Sequence, residues 1–392
     1  MDFDFTQEQK RFREEIRDFL KSEEEQGSFK PKPNACIEGF SHEFSRKIAE
    51  KGWIGLTWPK EYGGKGRSYM DRLILLEELL RAQAPIGFHF VAERQVGPAL
   101  IHFGSDQLQK EFLPKIINAE ISFCLLFSEP DAGSDLVSVR TTGVDEGDAY
   151  VVNGQKVWTT MGHLADFGWL LAKTNPDPKL ASHKTLSEFI LDMKTPGVTV
   201  QPLINVAGVH SFNEVFLDSV KVPKNRLVGV KDQGFIQTMA QVDYERAGIE
   251  RLMQNYSVKE CLIEYVKQTK RNGSCLWDDP VVRNMIATLE IEFNAGKLLC
   301  YNVAWLIDQG KMPNYEAALC KVFCTQYEKK LSDVATQIMG LYGQLLPGSK
   351  WAPYDGVAAE SYLWSPSYTL QGGTVEILKN IIALRGLKLR TK

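Results

Sequence analysis

The chain has 392 residues, about twice the usual length of a single domain, with 44% hydrophobic and 24% charged residues. That composition excludes a disordered chain and leaves ample material for a buried core. Lys+Arg 46 against Asp+Glu 49 gives a net charge of -3 and no electrostatic basis for binding nucleic acid or anionic lipid.

No apolar run approaches the ~20 residues that span a bilayer. The N-terminus, MDFDFTQEQKRFREE, is acidic and amphipathic, unlike a secretory signal or an Arg-rich transit peptide, so a cytoplasmic protein is expected. Seven cysteines (Cys36, Cys124, Cys261, Cys275, Cys300, Cys320, Cys324) make an odd count without CxxC spacing and read as reduced core thiols. The six histidines are scattered, so no metal site is expected.

The first 120 residues read as a helical domain. Thr6 and Gln9 have capping-box spacing, and Phe12, Ile16, Phe19 and Leu20 follow at helical intervals. A second amphipathic helix covers residues 71–82. Between them lies WIGLTWPKEYGGKG, a Pro/Gly-rich connection whose Trp53 and Trp58 are expected to pack against neighbours. From about Phe123 the period changes to two. Residues 149–152 and 155–159 read as strands joined at Asn153-Gly154, a strong hairpin signal. Residues 168–173, 188–193, 197–202 and 214–217 continue the pattern, giving a small β-barrel or sandwich ending near 230. From 231 to 392 the helical period returns, with breaks at Asn272-Gly273, Pro313 and 347–356. The fold class is therefore α+β and multidomain: a helical domain 1–120, a β-domain 121–230 and a helical bundle 231–392.

One side chain is out of place in that pattern. The helix opening the third segment carries an apolar stripe of Ile236, Met239, Val242, Ile249, Leu252, Met253 and Tyr256. Glu245 stands three residues after Val242 and four before Ile249, inside the stripe. A carboxylate there loses hydration, its pKa rises, and it becomes a better proton acceptor near neutral pH. The alternative is a glutamate that bends outward or pairs with a base such as Arg246. Two glycine-rich segments also stand out. SEPDAGSD (128–135) offers hydroxyls and close-approach amides, and Gln371-Gly372-Gly373-Thr374 precedes a helix. Taken alone, each is more often a plain loop. No GxGxxG or Walker-type lysine motif is present.

FSEPDAGSD, VNGQKVWTTMGHLADF, FNEVFLDSVKVP and QGGTVEILKNIIALRGL, in this order across the whole chain, resemble the acyl-CoA dehydrogenase family. The resemblance implies an FAD enzyme that oxidises an acyl-CoA to its trans-2-enoyl-CoA. A base removes the α-proton, the β-hydrogen leaves as hydride to flavin N5, and electrons pass to an electron-transfer flavoprotein. It also implies carboxylic-acid catabolism and a homotetramer, with a heterotetramer open.

The same resemblance carries residue roles. Leu126, Phe127, Ser128, Ser134, Trp158 and Thr160 match flavin-side positions, Trp158 beside the ring and Thr160 at N5; the other reading of Trp158 is a core aromatic. Ser134 also falls near the CoA phosphates. Arg271, Gln337 and Gly340 match adenine-end contacts from a neighbouring subunit, although Arg-x-x-Phe-Gly is reduced to Arg271-Asn272-Gly273-Ser274 and Leu341 replaces a frequent Gly. Thr374 and Glu376 also fall on the cofactor side, and Tyr244, Arg246 and Gly373 on the substrate side.

The catalytic base departs from the commonest pattern. Many members place it in Tyr-Glu-Gly-Thr, where this chain has Gly372. Isovaleryl-CoA dehydrogenase and its relatives hold it on the helix opening the third domain, and Asp243-Tyr244-Glu245-Arg246 matches that position. Glu245 is thus the expected base, with the Gly372 N–H retained as a donor to the thioester carbonyl. Glu376 in a first helical turn, Glu93 in VAERQVGP and Glu360 are the competing acids. Aromatic residues in 360–368 line an acyl pocket or pack a core. An oxygen-reactive oxidase or monooxygenase, and a non-catalytic subunit, are the alternative functions on the same scaffold.

Overall fold

The computed structural model describes residues 4–245 and 248–390; the side chains of residues 242–245 lie outside that description. Helices come first: α1 (Gln7–Glu25), α2 (His42–Glu50), α3 (Tyr69–Arg81), α4 (Gly87–Val91), α5 (Gly97–Phe103) and α6 (Asp106–Ile117), with a π-helical turn Ala92–Val96 between α4 and α5. Eight strands follow: β1 (Phe123–Leu126), β2 (Thr142–Asp145), β3 (Ala149–Lys156), β4 (Phe167–Lys173), β5 (Leu186–Asp192), β6 (Val198–Ile204), β7 (His210–Pro223) and β8 (Leu227–Val228). Helices resume with α7 (Gly234–Glu245), α8 (Glu250–Met253), α9 (Tyr256–Gln268), α10 (Pro280–Asp308), α11 (Asn314–Met339), α12 (Val357–Tyr368) and α13 (Val375–Ile381). The order helices, sheet, helices is the α+β class expected.

The chain packs as two compact units, Met1–Ala35 with Tyr69–Ala84 and Arg246–Lys392, and Cys36–Ser68 with Pro85–Glu245. In the first, helical unit, the capping box forms as its spacing predicts: Thr6 Oγ1 accepts from Gln9 N at 3.2 Å and Gln9 Oε1 from Thr6 N at 3.0 Å. α1 buries Phe12, Ile16 and Leu20. Buried acids on α3 then tie three helices together. Glu77 takes Lys297 of α10 at 2.6 Å, Tyr301 Oη at 2.9 Å and Arg13 of α1 at 3.0 Å, while Glu78 takes Arg13 and Arg17.

In the second, sheet unit, the strand order is β6-β7-β3-β2-β4-β5-β8, with β1 parallel to β4. Its core gathers Leu126, Val152, Leu170, Phe189, Leu191 and Val215, all but excluded from solvent. Trp53 and Trp58 are buried, and a Cβ on Gly97 would stand 1.9 Å from the Trp58 ring, so α5 lies directly on that indole.

Two sequence expectations are corrected. Asn153-Gly154 is not a hairpin: β3 runs through it unbroken, bulged against β7 between Val152 and Gly154. Asn153 Oδ1 accepts from Ser219 N at 2.8 Å, and a Cβ at 154 would meet Thr141 Oγ1 at 2.3 Å, so this pair serves a bulge and a close approach. The two-residue hairpin is instead Asn272-Gly273, with φ of 53° and 85°, joining strands Lys270–Arg271 and Ser274–Cys275. Nor is the apolar stripe of 236–256 continuous. α7 ends at Glu245, α8 begins at Glu250, and Ile236 is 57% exposed.

Candidate active site

The face that α7 buries is polar. Gln237, Thr238 and Gln241, at helical spacing, converge on Glu188 of β5. Thr238 Oγ1 donates to Glu188 Oε1 at 2.7 Å, Gln237 Nε2 to Oε2 at 3.1 Å, and Gln241 Nε2 to both oxygens at 3.2 Å. Desolvation pushes Glu188 up to about 7, with these hydrogen bonds opposing it. Glu245 closes this clamped helix, one turn beyond Gln241. Its side chain and that of Tyr244 lie outside the described residues, as does Arg246 altogether.

Residues 126–134 and 156–162 form one assembly in the sheet unit. Leu126 is sealed in the core, so only its backbone is available, while Phe127 and Ser128 are half-buried and Ser134 is exposed. The fully buried Lys156 stitches the two segments: its Nζ donates to Phe127 O at 3.0 Å and pairs with Glu129 Oε1 at 2.8 Å. Glu129 also accepts the Arg140 and Thr141 amides at 2.6 and 2.9 Å. Desolvation brings Lys156 down to about 8 against the pull of Glu129. It opposes, without overcoming, the lowering of Glu129 by Lys156 and those donors. Nothing in the sequence marks Lys156, since a lysine in an alternating strand reads as solvent-facing.

Beyond Lys156 the backbone amides alternate. Val157 N donates to Ser128 O at 2.9 Å and Thr159 N to Asn213 O at 3.1 Å, whereas the Trp158 and Thr160 N–H groups donate to nothing among the described residues. Asn213 Nδ2 returns to Thr159 O at 3.0 Å, fixing the turn. Trp158 and Met161 hold left-handed φ of 60° and 53°, a strained conformation for such side chains. The Trp158 indole is 63% exposed and meets Phe212 edge-on at 6.0 Å, so its reading as a core aromatic is corrected. An exposed aromatic face beside outward amides suits a planar, acceptor-rich ring. Thr159 Oγ1 and Ser211 Oγ, buried without partners among the described residues, add unused polar capacity.

In the helical unit, Gly372 and Gly373 take φ of 65° and 97°. Lys321 of α11, fully buried, donates to Gly373 O at 2.6 Å. The Gly372 N–H donates to nothing among the described residues, and Gln371 Nε2 is buried without a partner there. Thr374 caps α13 through Ile377 N at 3.3 Å, and Glu376 lies exposed in the first turn. Elsewhere in this unit the expected adenine-end residues come together. Arg271 Nη2 donates to Ile338 O at 2.7 Å, between Gln337 and Gly340, and Gly340 holds φ 61° and ψ −131°. Gln337 itself bonds Asp333 at 2.8 Å.

The competing acids separate. Glu93 is buried in the π-helical turn, which packs against α7 within the sheet unit. Glu360 is half-buried in the first turn of α12, where Trp364 and Tyr368 stack in the core. All seven cysteines are free, and Cys320 and Cys324, four residues apart, converge with the distant Cys300 as a ligand set the sequence does not mark.

Three family models match the chain: acyl-CoA dehydrogenase N-terminal domain over residues 6–120, middle domain over 124–220 and C-terminal domain over 232–387. The acyl-CoA dehydrogenase IpdE1 of Mycobacterium tuberculosis is 31% identical over 390 residues, covering 98% of this chain and 98% of the relative. The caffeyl-CoA reductase-Etf complex subunit CarC of Acetobacterium woodii is 30% identical over 356 residues, covering 87% and 90%. Among solved structures, the ChsE4-ChsE5 complex from Mycobacterium tuberculosis superposes with a TM-score of 0.88 at 29% identity, covering 100% of both chains.

Proposed function

The chain belongs to the acyl-CoA dehydrogenase family of FAD-dependent oxidoreductases, and on that premise we propose that Glu245 is its catalytic base and the Gly372 amide its enolate donor. The reaction is the α,β-dehydrogenation of an acyl-CoA thioester. One observation carries the assignment: the turn at 372 has an unused N–H but no side chain, so the proton must be taken by an acid elsewhere. Glu245 ends the helix that Glu188 anchors, and Glu93 is the reserve candidate, buried on the turn packed against that helix.

FAD, when bound, supplies the acceptor for the β-hydrogen. Trp158 would flank its ring, with Ser128, Thr160 and the backbone of 126–127 at its polar edge. Arg271, Gln337, Gly340, Thr374 and Glu376 would serve the rest of the cofactor, with Arg271 at its phosphates. Tyr244, Arg246 and Gly373 would contact the acyl-CoA substrate, with Ser134 near its CoA phosphates. Glu245 would draw the α-proton while the Gly372 N–H would donate to the thioester oxygen where negative charge develops.

We assign electron transfer to an electron-transfer flavoprotein, in keeping with the Etf complex named for the A. woodii relative. Ile291, Leu298 and Trp305 lie exposed at seven-residue spacing along α10 and suit helix-to-helix assembly, as a homotetramer or with a sister chain as in the ChsE4-ChsE5 complex. The cytoplasm is the proposed compartment, and 1–120, 121–230 and 231–392 are the working domain limits. The test is anaerobic titration of the flavin-loaded protein with straight, branched, cyclic and aromatic acyl-CoAs. Bleaching by at least one, with stoichiometric enoyl-CoA and reoxidation by an electron-transfer flavoprotein, is expected. Rapid peroxide formation in air would indicate an oxidase, and no bleaching without a sister chain would indicate an auxiliary subunit.

A further inference from the structure

The helical unit contains a second constellation, of residues given no part in the proposed chemistry. Cys320 and Cys324 stand one turn apart on α11 and face Cys300 on α10. Their sulfurs are separated by 3.5 Å (300–320), 3.9 Å (300–324) and 4.0 Å (320–324), and none is in a disulfide. All three residues are sealed from solvent.

A buried cysteine alone behaves as a small hydrophobe and needs no function. Three sulfurs closing a nearly equilateral triangle are a different matter. The centre of that triangle is about 2.2 Å from each sulfur, close to the ~2.3 Å of a zinc–thiolate bond. Helical spacing fixes two of the donors, and the close approach of α10 fixes the third: a Cβ on Gly296 would press to 2.9 Å from Leu252 and 3.5 Å from Cys324 Sγ. No imidazole belongs to the set, so the donors are soft.

We infer that Cys300, Cys320 and Cys324 form a three-thiolate site for a thiophilic d10 metal ion of the zinc(II) or copper(I) class. Binding forms three metal–sulfur bonds and releases the three thiol protons to solvent, with no change of oxidation state. Its role is to pin α10 to α11.

The test is titration of the reduced, metal-free full-length protein with cadmium(II) and, separately, copper(I), followed by thiolate-to-metal charge-transfer absorption. One equivalent of at least one metal should bind and raise the melting temperature. Cys320→Ser should weaken that binding about 100-fold or more, beyond what outer-shell changes cost. Cys124→Ser, which removes a buried cysteine of the sheet unit, should leave it unchanged. Should Cys320→Ser fail to fold, Cys300→Ala read by the same absorption replaces it. Failure of the wild type to bind one equivalent of either metal, or undiminished binding by a folded trio variant, overturns the proposal. So does a Cys300–Cys320 disulfide that forms under mild oxidation while neither metal binds.

Discussion

Each unit of this molecule buries a glutamate, and the two treat it differently. In the sheet unit, Glu188 has both oxygens engaged by three side chains of one helix and is pushed up to about 7. In the helical unit, desolvation pushes Glu328 up to about 8; its Oε1 accepts Asn255 N at 3.3 Å, while Oε2 accepts nothing among the described residues. Burial opposes charge in both, and donors aimed at the carboxylate restore part of the loss. The contrast separates two uses of a buried acid. Glu188 fixes the helix that ends in the proposed base, whereas Glu328 sits in a polar seam with Asn255, Tyr368 and Asn34.

The largest expected effect is on the pH dependence of stability. Both acids have folded pKa values above 4.5, so the folded state holds their protons more tightly, and the stability they contribute is present at acid pH and lost as pH rises. Denaturation curves of wild type minus Glu188→Gln should fall by about 3 kcal/mol in total, the loss complete just above about 7. The Glu328→Gln difference should be larger and continue to about 8. Equal windows would break the comparison.

Removing an anchor in the sheet unit comes next. Glu129→Ala leaves the buried Lys156 cation without its carboxylate and should cost about 3 kcal/mol by chemical denaturation, with weakened flavin retention. In the helical unit, Gly340→Ala forces a side chain onto a backbone conformation reserved for glycine. A loss of about 1–3 kcal/mol in thermal unfolding is expected. Smallest is Trp158→Phe, whose exposed ring contributes no more than about 0.5 kcal/mol to stability. Its effect should instead appear in the flavin absorption spectrum and retention on dilution.

What the sequence made legible follows how local the physics is. The capping box at Thr6 and Gln9 spans four residues and formed as its spacing required. Asn153-Gly154 and Asn272-Gly273 are the same dipeptide with opposite outcomes. The first is held straight by Ser219 and Thr141, distant partners that no local pattern reveals; the second has only two short strands to join. For the candidate site, residues 126–134 and 157–160 could be picked out as motifs. Their struts could not: Lys156, Asn213 and Lys321 act through contacts 27, 54 and 52 residues away. The same non-locality hid the approach of Cys300 to Cys320 and Cys324, 20 and 24 residues away.

The assignment of Glu245 turns on one rate. Anaerobic stopped-flow reduction of the bound flavin by a competent acyl-CoA should slow by at least about 10³-fold in Glu245→Gln, with flavin content and ligand affinity retained, while Glu93→Gln stays within about 10-fold of wild type. Undiminished bleaching in Glu245→Gln, with the large loss appearing in Glu93→Gln, would contradict the account and move the base to the π-helical turn.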